Sequence, residues 1–397
     1  MSELMAGFPA PTSGQVTLAN WRTHPYNRWG FQHVRELIPT ADIPAAPDDL
    51  FRLPPAAADL GGLAIADGRG GHMSLEAFLE ATATDAFVVV HRGRLVLERY
   101  RSGMTAATPH ILMSVSKSML GLLAGILAEK GVLDVDAEAA RYVPEIADSA
   151  FRGASVRTLL DMRSGLDFDE DYLATSGPII AYRKSTGWNP LAPGEAASDL
   201  RSFLPTLKAS GAHGGRTNYV SPCTDLLGWI IERAAGRRYA DLMSDLLWRP
   251  LGAAYSAYIT VDRLGAPRAA GGMCMTATDL ARVGQLLVQG GRRGDRSIVP
   301  EAWIADIETR GDAEAWDRGT LAGYFGGRSM HYRSKWYVEH GATPLLGCLG
   351  IHGQHLYVDR RAQIVVAKLS SQAMPLDAEA IGLTGRAIDA LRQHLGG

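Results

Sequence analysis

The sequence predicts an α/β protein, one body built on an antiparallel sheet with a largely helical region inserted into it. Three observations carry that prediction. β-rich runs lie early (Ala86 to Tyr100) and late (Leu356 to Val366), and the early run folds back on itself. The stretch between, from about 130 to 255, reads mostly as helices separated by loops.

Taken in order, residues 1–80 are rich in Pro, Ala and Gly around one aromatic block, Asn27-Arg28-Trp29-Gly30-Phe31, which predicts an irregular N-terminal wrap. Phe87-Val88-Val89-Val90 and Leu95-Val96-Leu97 flank His91-Arg92-Gly93-Arg94, a pattern that predicts a hairpin with a four-residue polar turn. From Ser114 to Lys130 the apolar spacing (Met119, Leu120, Leu122, Leu123, Ile126, Leu127) becomes helical, and Gly131 supplies the stop. Further helices are expected at Val156 to Met162, Asp225 to Ala235 (capped by Thr224 or Asp225), Tyr239 to Leu247, and Asp279 to Gln289 (capped near Thr278). Leu356-Tyr357-Val358 and Ile364-Val365-Val366 read as strands split by Asp359-Arg360-Arg361, and a last helix runs from about Ala378 to Leu395. The expected division is an α/β region of residues 1–110 and 256–397, a mainly helical region of residues 111–255, and a site between them.

Composition narrows the function. The chain has 397 residues, with 40 Lys+Arg against 42 Asp+Glu, so it lacks the basic excess that nucleic-acid binding needs. At 46% hydrophobic and 21% charged it is globular, and no apolar run reaches the ~18 residues of a membrane span. The first twenty residues show neither a basic start nor an apolar stretch, so a cytoplasmic location is expected. Three scattered cysteines without a CxxC pair, and histidines without ligand spacing, argue against disulfides, a metal or a cofactor. No GxSxG, Walker A, GxGxxG or HExxH motif occurs.

The chemical signal is Ser114-Val115-Ser116-Lys117 at the start of the apolar helix. Residues three apart share a helix face, so Lys117 is one turn from the Ser114 hydroxyl. A serine needs an adjacent base, and a lysine becomes one if burial lowers its pKa from ~10.4 toward about 7–8, which arginine cannot do. Lysine occurs only six times in this arginine-rich chain, yet one faces Ser114. Of three Tyr-x-Ser triplets, Tyr219-Val220-Ser221 leads into a helix, whereas Tyr100 ends the hairpin and Tyr332 falls in a charged late loop; Tyr219 is therefore the candidate phenol. The glycine-dense block Gly347 to Leu356 runs into a strand, with the Ile351 amide as a candidate second oxyanion donor beside that of Ser114. His352 is a candidate substrate contact, or a histidine satisfied by a nearby carbonyl.

With these elements in order, the chain resembles the penicillin-recognising serine hydrolases, on the side of class C β-lactamases and family VIII esterases. It is closer still to the nylon-oligomer (6-aminohexanoate-dimer) hydrolase branch. Gly131-Val132-Leu133-Asp134-Val135-Asp136, Asp169-Glu170-Asp171-Tyr172, Gly187-Trp188, Asp279-Leu280-Ala281-Arg282 and Ile351-His352-Gly353-Gln354 carry the likeness through most of the chain. The resemblance implies a β-lactamase/DD-peptidase-like fold, Ser114 as acylated nucleophile, Lys117 with Tyr219 as the proton-transfer pair, and an oxyanion hole of the Ser114 and Ile351 amides. It further implies that Tyr172 contacts the substrate amide, that Trp188 belongs to the pocket, and that Trp336-Tyr337 is its aromatic pair. Two positions depart from the pattern. Arg183 stands where the amide-active members carry an aspartate for the substrate's amino group, and Ala270 precedes Gly271-Gly272 where some carry Asn or His. An arginine lining the pocket would repel a cationic amino group by about 1 to 4 kcal/mol at ~4 Å.

The expected activity is hydrolysis of small carboxylic esters, and of linear amides of the 6-aminohexanoate type, through an acyl-enzyme. The expected partner is that small molecule, with no nucleic acid or membrane, and a homodimer is left open. Two rivals stand beside it: a β-lactamase or DD-peptidase, and a non-catalytic binding protein on the same fold.

Overall fold

The computed structural model describes residues 4–396 except 57 and 59. Its centre is a seven-stranded sheet, antiparallel throughout, built from β1 (Thr84–His91), β2 (Arg94–Tyr100), β3 (Met330–Arg333), β4 (Trp336–Glu339), β5 (Leu345–Gly350), β6 (Gln354–Asp359) and β7 (Ile364–Ser370). The spatial order is β3-β4-β5-β6-β7-β1-β2, so the last strand of this sheet pairs with its first, Val366 opposite Val89. That pairing is why strand signals stand at both ends of the sequence. The hairpin turn is tighter than its polar residues suggest, because His91 and Arg94 still pair and only Arg92 and Gly93, both with positive φ, make the turn.

β1 reads as a continuous apolar run because both of its faces are covered. Ala86, Val88 and Val90 join the core on the side of α1 (Val115–Glu129) and α4 (Ala277–Val288). Phe87 and Val89 join a second core beneath α5 (Ala378–Gly396). A smaller sheet of Thr40–Ile43, Ala257–Thr260, Met273–Met275 and His110–Ile111 lies beside the N-terminal wrap, whose Trp21 and Phe31 pack with Met113 and Trp188.

α1 is buried on every side from Val115 to Leu127, not along one face as its spacing suggests. Its glycines allow this. A Cβ on Gly121 would lie 2.2 Å from the Ser334 carbonyl oxygen, and one on Gly125 would lie 2.5 Å from the Trp303 ring. The close approach brings the β3–β4 turn against the helix, where Ser118 donates to the Lys335 carbonyl at 2.6 Å.

Several boundaries differ from the sequence reading. α3 (Pro222–Ala235) starts three residues before Asp225, because Pro222 occupies the first turn, where its fixed φ suits the helix and its missing N–H is no loss. The Tyr219 element thus runs directly into it. α4 is capped by Thr276, whose hydroxyl accepts from the Asp279 amide, rather than near Thr278. The stretch Tyr239 to Leu247 is an α-helical turn, Tyr239–Met243, followed by a π-helical one. Tyr332 lies in β3 and not in a loop, and its ring meets those of Tyr219 and Tyr337 edge-on. Among the described residues no helix is long and apolar enough to cross a membrane.

Candidate active site

The site begins at the entrance to α1. Met113, just before the serine, holds a positive φ of 46°, a sparsely populated conformation for a residue with a side chain. Packing against the N-terminal wrap over-determines it: Met113 is buried with Phe31 and Trp188, and the adjacent Leu112 amide is bound to the Met273 carbonyl. Ser114 takes the cap position, with Lys117 one turn along.

Lys117 Nζ lies 2.8 Å from Ser114 Oγ and 2.8 Å from the Ala270 carbonyl oxygen. Burial among apolar side chains pushes its pKa down to about 7; Glu170 and Asp225 oppose the shift, while Arg268 and Lys335 assist it. Three of the six lysines in the chain, Lys117, Lys335 and Lys368, are buried, and burial lowers all three. Lys335 is turned to the Leu159 carbonyl and Lys368 to the fully buried hydroxyl of Ser370, whereas the hydroxyl that Lys117 meets, that of Ser114, borders a cavity. The Ala270 contact is itself fixed from behind. Ala270 donates its amide to Asp225 on α3, and Arg268 pairs with the same carboxylate.

Tyr219 borders the same cavity as Ser114, and its phenol interacts with the Ser114 and Tyr337 side chains. Its ring centroid is 5.0 Å from Lys117 Nζ, and burial raises its pKa, so the phenol is neutral. The loop is pinned on both flanks, since Asn218 donates to the Ser164 and Leu166 carbonyls and the Ser221 amide donates to Glu170. Glu170 also accepts the Tyr172 hydroxyl at 2.6 Å. One carboxylate therefore ties Tyr172 to the Tyr219 loop, a role the sequence hinted at only through the Asp-Glu-Asp-Tyr run.

A narrow cavity of about 40 Å³ covers Ser114 and is bordered by Tyr172, Tyr219, Tyr337, Phe325, Leu349 and Ile351. Gly350 permits the approach of β5 to the serine, because a Cβ there would lie 3.0 Å from the Ser114 nitrogen. Of the predicted residues, the structure brings together Ser114, Lys117, Tyr219, Ile351, Tyr172 and Tyr337.

The others sit behind the wall. Tyr337 and Trp336 are both buried in the core, but only Tyr337 reaches the cavity, because successive residues of a strand face opposite sides. His352 is buried, with Nδ1 on the Gln372 carbonyl and its amide on that of Pro375, both at 2.8 Å; burial lowers its pKa to about 4. It anchors the turn that carries Ile351. Trp188 donates to Thr260 and packs on Gly271, supporting the serine segment from the rear. Ala270 acts through its main chain alone. Arg183 in α2 (Pro178–Ser185) is 8% exposed and donates to the Tyr172 carbonyl at 3.0 Å, so its guanidinium holds that loop and is not open to the cavity. Sequence reasoning missed Leu321, Tyr324 and Phe325, which reach the cavity from a short turn of helix with no motif of its own. Among the described residues no group of His, Cys, Asp or Glu is placed to hold a metal.

A family model described as β-lactamase matches residues 74–389. This chain belongs to the β-lactamase family. The fold is that of β-lactamases and penicillin-binding proteins, and this β-lactamase-family member is an enzyme, a serine hydrolase. It is 37% identical over 376 residues to a 6-aminohexanoate-dimer hydrolase of Paenarthrobacter ureafaciens, covering 93% of this chain and 92% of that one. A Bacillus anthracis protein provisionally assigned as a 6-aminohexanoate-dimer hydrolase superposes with a TM-score of 0.87 at 28% identity, over 97% of this chain and 98% of its own. EstCE1, a hydrolase with promiscuous acyltransferase activity, shares the fold at a TM-score of 0.60 and 19% identity, over 81% and 98% of the two chains.

Proposed function

We propose that this β-lactamase-family hydrolase cleaves small carboxylic esters and linear amides of the 6-aminohexanoate type through an acyl-enzyme on Ser114. The observation that carries the reading is the Ser114 hydroxyl 2.8 Å from Lys117 Nζ, in a cavity that Tyr219 also borders. With a pKa near 7, a large share of Lys117 is neutral at neutral pH and has a lone pair for the serine proton. Ser114 Oγ attacks the carbonyl carbon as its proton passes to Nζ, and the oxyanion is met by the Ser114 and Ile351 amides. The tetrahedral adduct collapses with loss of the C–O or C–N bond, and the proton goes to the departing oxygen or nitrogen by way of Lys117 and Tyr219. Water then attacks the ester on Ser114, giving up a proton by the same route, and releases the acid.

The preference for linear substrates over β-lactams rests on His352. A β-lactam carries a carboxylate that needs a cation in the glycine-dense block Gly347 to Leu356, and His352 is neutral and turned to a carbonyl. The likeness to the Paenarthrobacter ureafaciens hydrolase supports the amide arm. The test is a kcat/KM comparison on p-nitrophenyl acyl esters, 6-aminohexanoate dimer and nitrocefin. Turnover of the first two well above nitrocefin is expected, and nitrocefin as the best substrate would overturn the reading.

Arg183 enters as a positioning residue. Arg183→Ala frees the Tyr172 carbonyl and loosens the wall of the cavity. KM for the dimer is expected to rise about tenfold, the scale of a lost charged hydrogen bond, with kcat nearly unchanged. A fall in kcat at constant KM would instead place Arg183 in contact with the reacting group.

A further inference from the structure

We infer that the channel leading away from Ser114 between Phe325, the outer face of the sheet and α5 binds an apolar chain on the leaving-group side of the substrate. The inference rests on the acyl-enzyme reading above and specifies its substrate class. The channel is a cavity of about 350 Å³ that adjoins the cavity over the serine, with Tyr324, Phe325, Tyr337, Leu349 and Ile381 lining both. Strand alternation sends Leu345, Gly347 and Leu349 of β5 to this face, and Tyr357, Ile381 and Ile388 complete an apolar wall.

Glycines keep the channel open. A Cβ on Gly347 would lie 3.4 Å from the Tyr357 ring, and one on Gly382 of α5 would lie 3.3 Å from an Arg386 nitrogen. The far end is polar and already engaged: Arg328 is paired with Glu339 and Asp389, and Arg386 donates to the Ala66 and Asp67 carbonyls. That end stops a chain and offers methylenes nothing beyond it.

Tyr337 decides which half of the substrate enters. The leaving atom receives its proton from the Lys117–Tyr219 side, and Tyr337, whose side chain interacts with the Tyr219 phenol, lines both the serine cavity and the channel. A departing alcohol or amine is thus directed along Tyr219 and Tyr337 into the channel. The other opening, past Tyr172, also reaches Tyr219 and has Leu173 and Met374 on its wall, but Asp169, Glu170 and Asp171 border it as well, which makes it the more polar of the two and the poorer environment for methylenes.

The test uses two ester series on the full chain: acetates of alcohols from butanol to octanol, and methyl esters of acids of the same lengths. In the acetate series kcat/KM is expected to rise about threefold to fourfold per methylene, the usual gain for burying one, while the acid series stays within a few fold. Gly347→Leu and Gly382→Leu, which enter the channel from the sheet and from the helix, should each flatten the acetate series. A flat acetate series, a slope carried by the acids, or a slope that survives in a folded blocking variant would overturn the inference. If no ester is turned over, the ester arm of the proposed function fails and the channel is judged separately by calorimetry of 1-octanol with Ser114→Ala. Binding weakened at least tenfold by Gly382→Leu upholds the channel, and no binding, or binding that Gly382→Leu leaves unchanged, overturns it.

Discussion

Ser114→Ala is expected to abolish fluorophosphonate labelling and to lower ester and amide turnover by ~10⁴-fold or more, the scale of losing the nucleophile of a serine hydrolase. The wild-type chain should take up one probe molecule, at Ser114. The lost hydroxyl is half-buried and its bond to Lys117 is one of two that hold the amine, so stability should change by about 1 kcal/mol and Tm by only a few degrees. Intact-mass analysis after labelling, with a thermal melt of both proteins, checks both halves. A second labelled serine that persists in Ser114→Ala would sink the assignment.

Lys117→Arg should cost ~10²–10⁴-fold in kcat, because it keeps the charge and removes the amine that can lose its proton. The pH profile tests the same claim from another side. The active form is the neutral amine with a pKa near 7, so wild-type kcat/KM should rise through about pH 7 and level off above it. In Lys117→Arg that rise should vanish, and Lys117→Ala should be no worse. A near-wild-type rate in Lys117→Arg would reduce the lysine to a positive charge.

Stability carries the opposite mark of the same burial. The folded-state pKa is about 7 and that of the unfolded chain is near 10.4, so between these values the unfolded chain binds more protons. Wild-type stability should therefore gain from Lys117 as pH rises from about 7 toward 10.4, and the penalty for charging the buried amine is fully present below about 7. Lys117→Met removes that penalty, so its Tm should exceed that of the wild type at pH 6. Equal melting temperatures at pH 6 would mean that the amine is not buried as described.

The partnership of Ser114 and Lys117 was legible because it is local. Three residues of helix determine it, and in a lysine-poor chain Lys117 stands out on an apolar helix one turn from a serine. Tyr219 was legible through the helix that follows, although Pro222 moved the start of that helix. The antiparallel sheet was visible in its apolar runs, whereas the pairing of β7 with β1 was not, because no local pattern names a partner nearly 280 positions away.

The lining of the cavity was decided by tertiary contacts. Trp336 and Tyr337 are neighbours in sequence with similar side chains, and only the facing of β4 decides that Tyr337 and not Trp336 reaches the cavity. His352 and Arg183 carry polar groups that look available until the folded chain supplies the Gln372 and Tyr172 carbonyls that engage them. By itself, then, the sequence determined the fold class and the pairing of Ser114 with Lys117, since both follow from short-range spacing and the chemistry of single side chains. The tertiary structure alone decided which groups face the substrate, because a polar or aromatic side chain takes its role from partners that folding brings to it from distant segments.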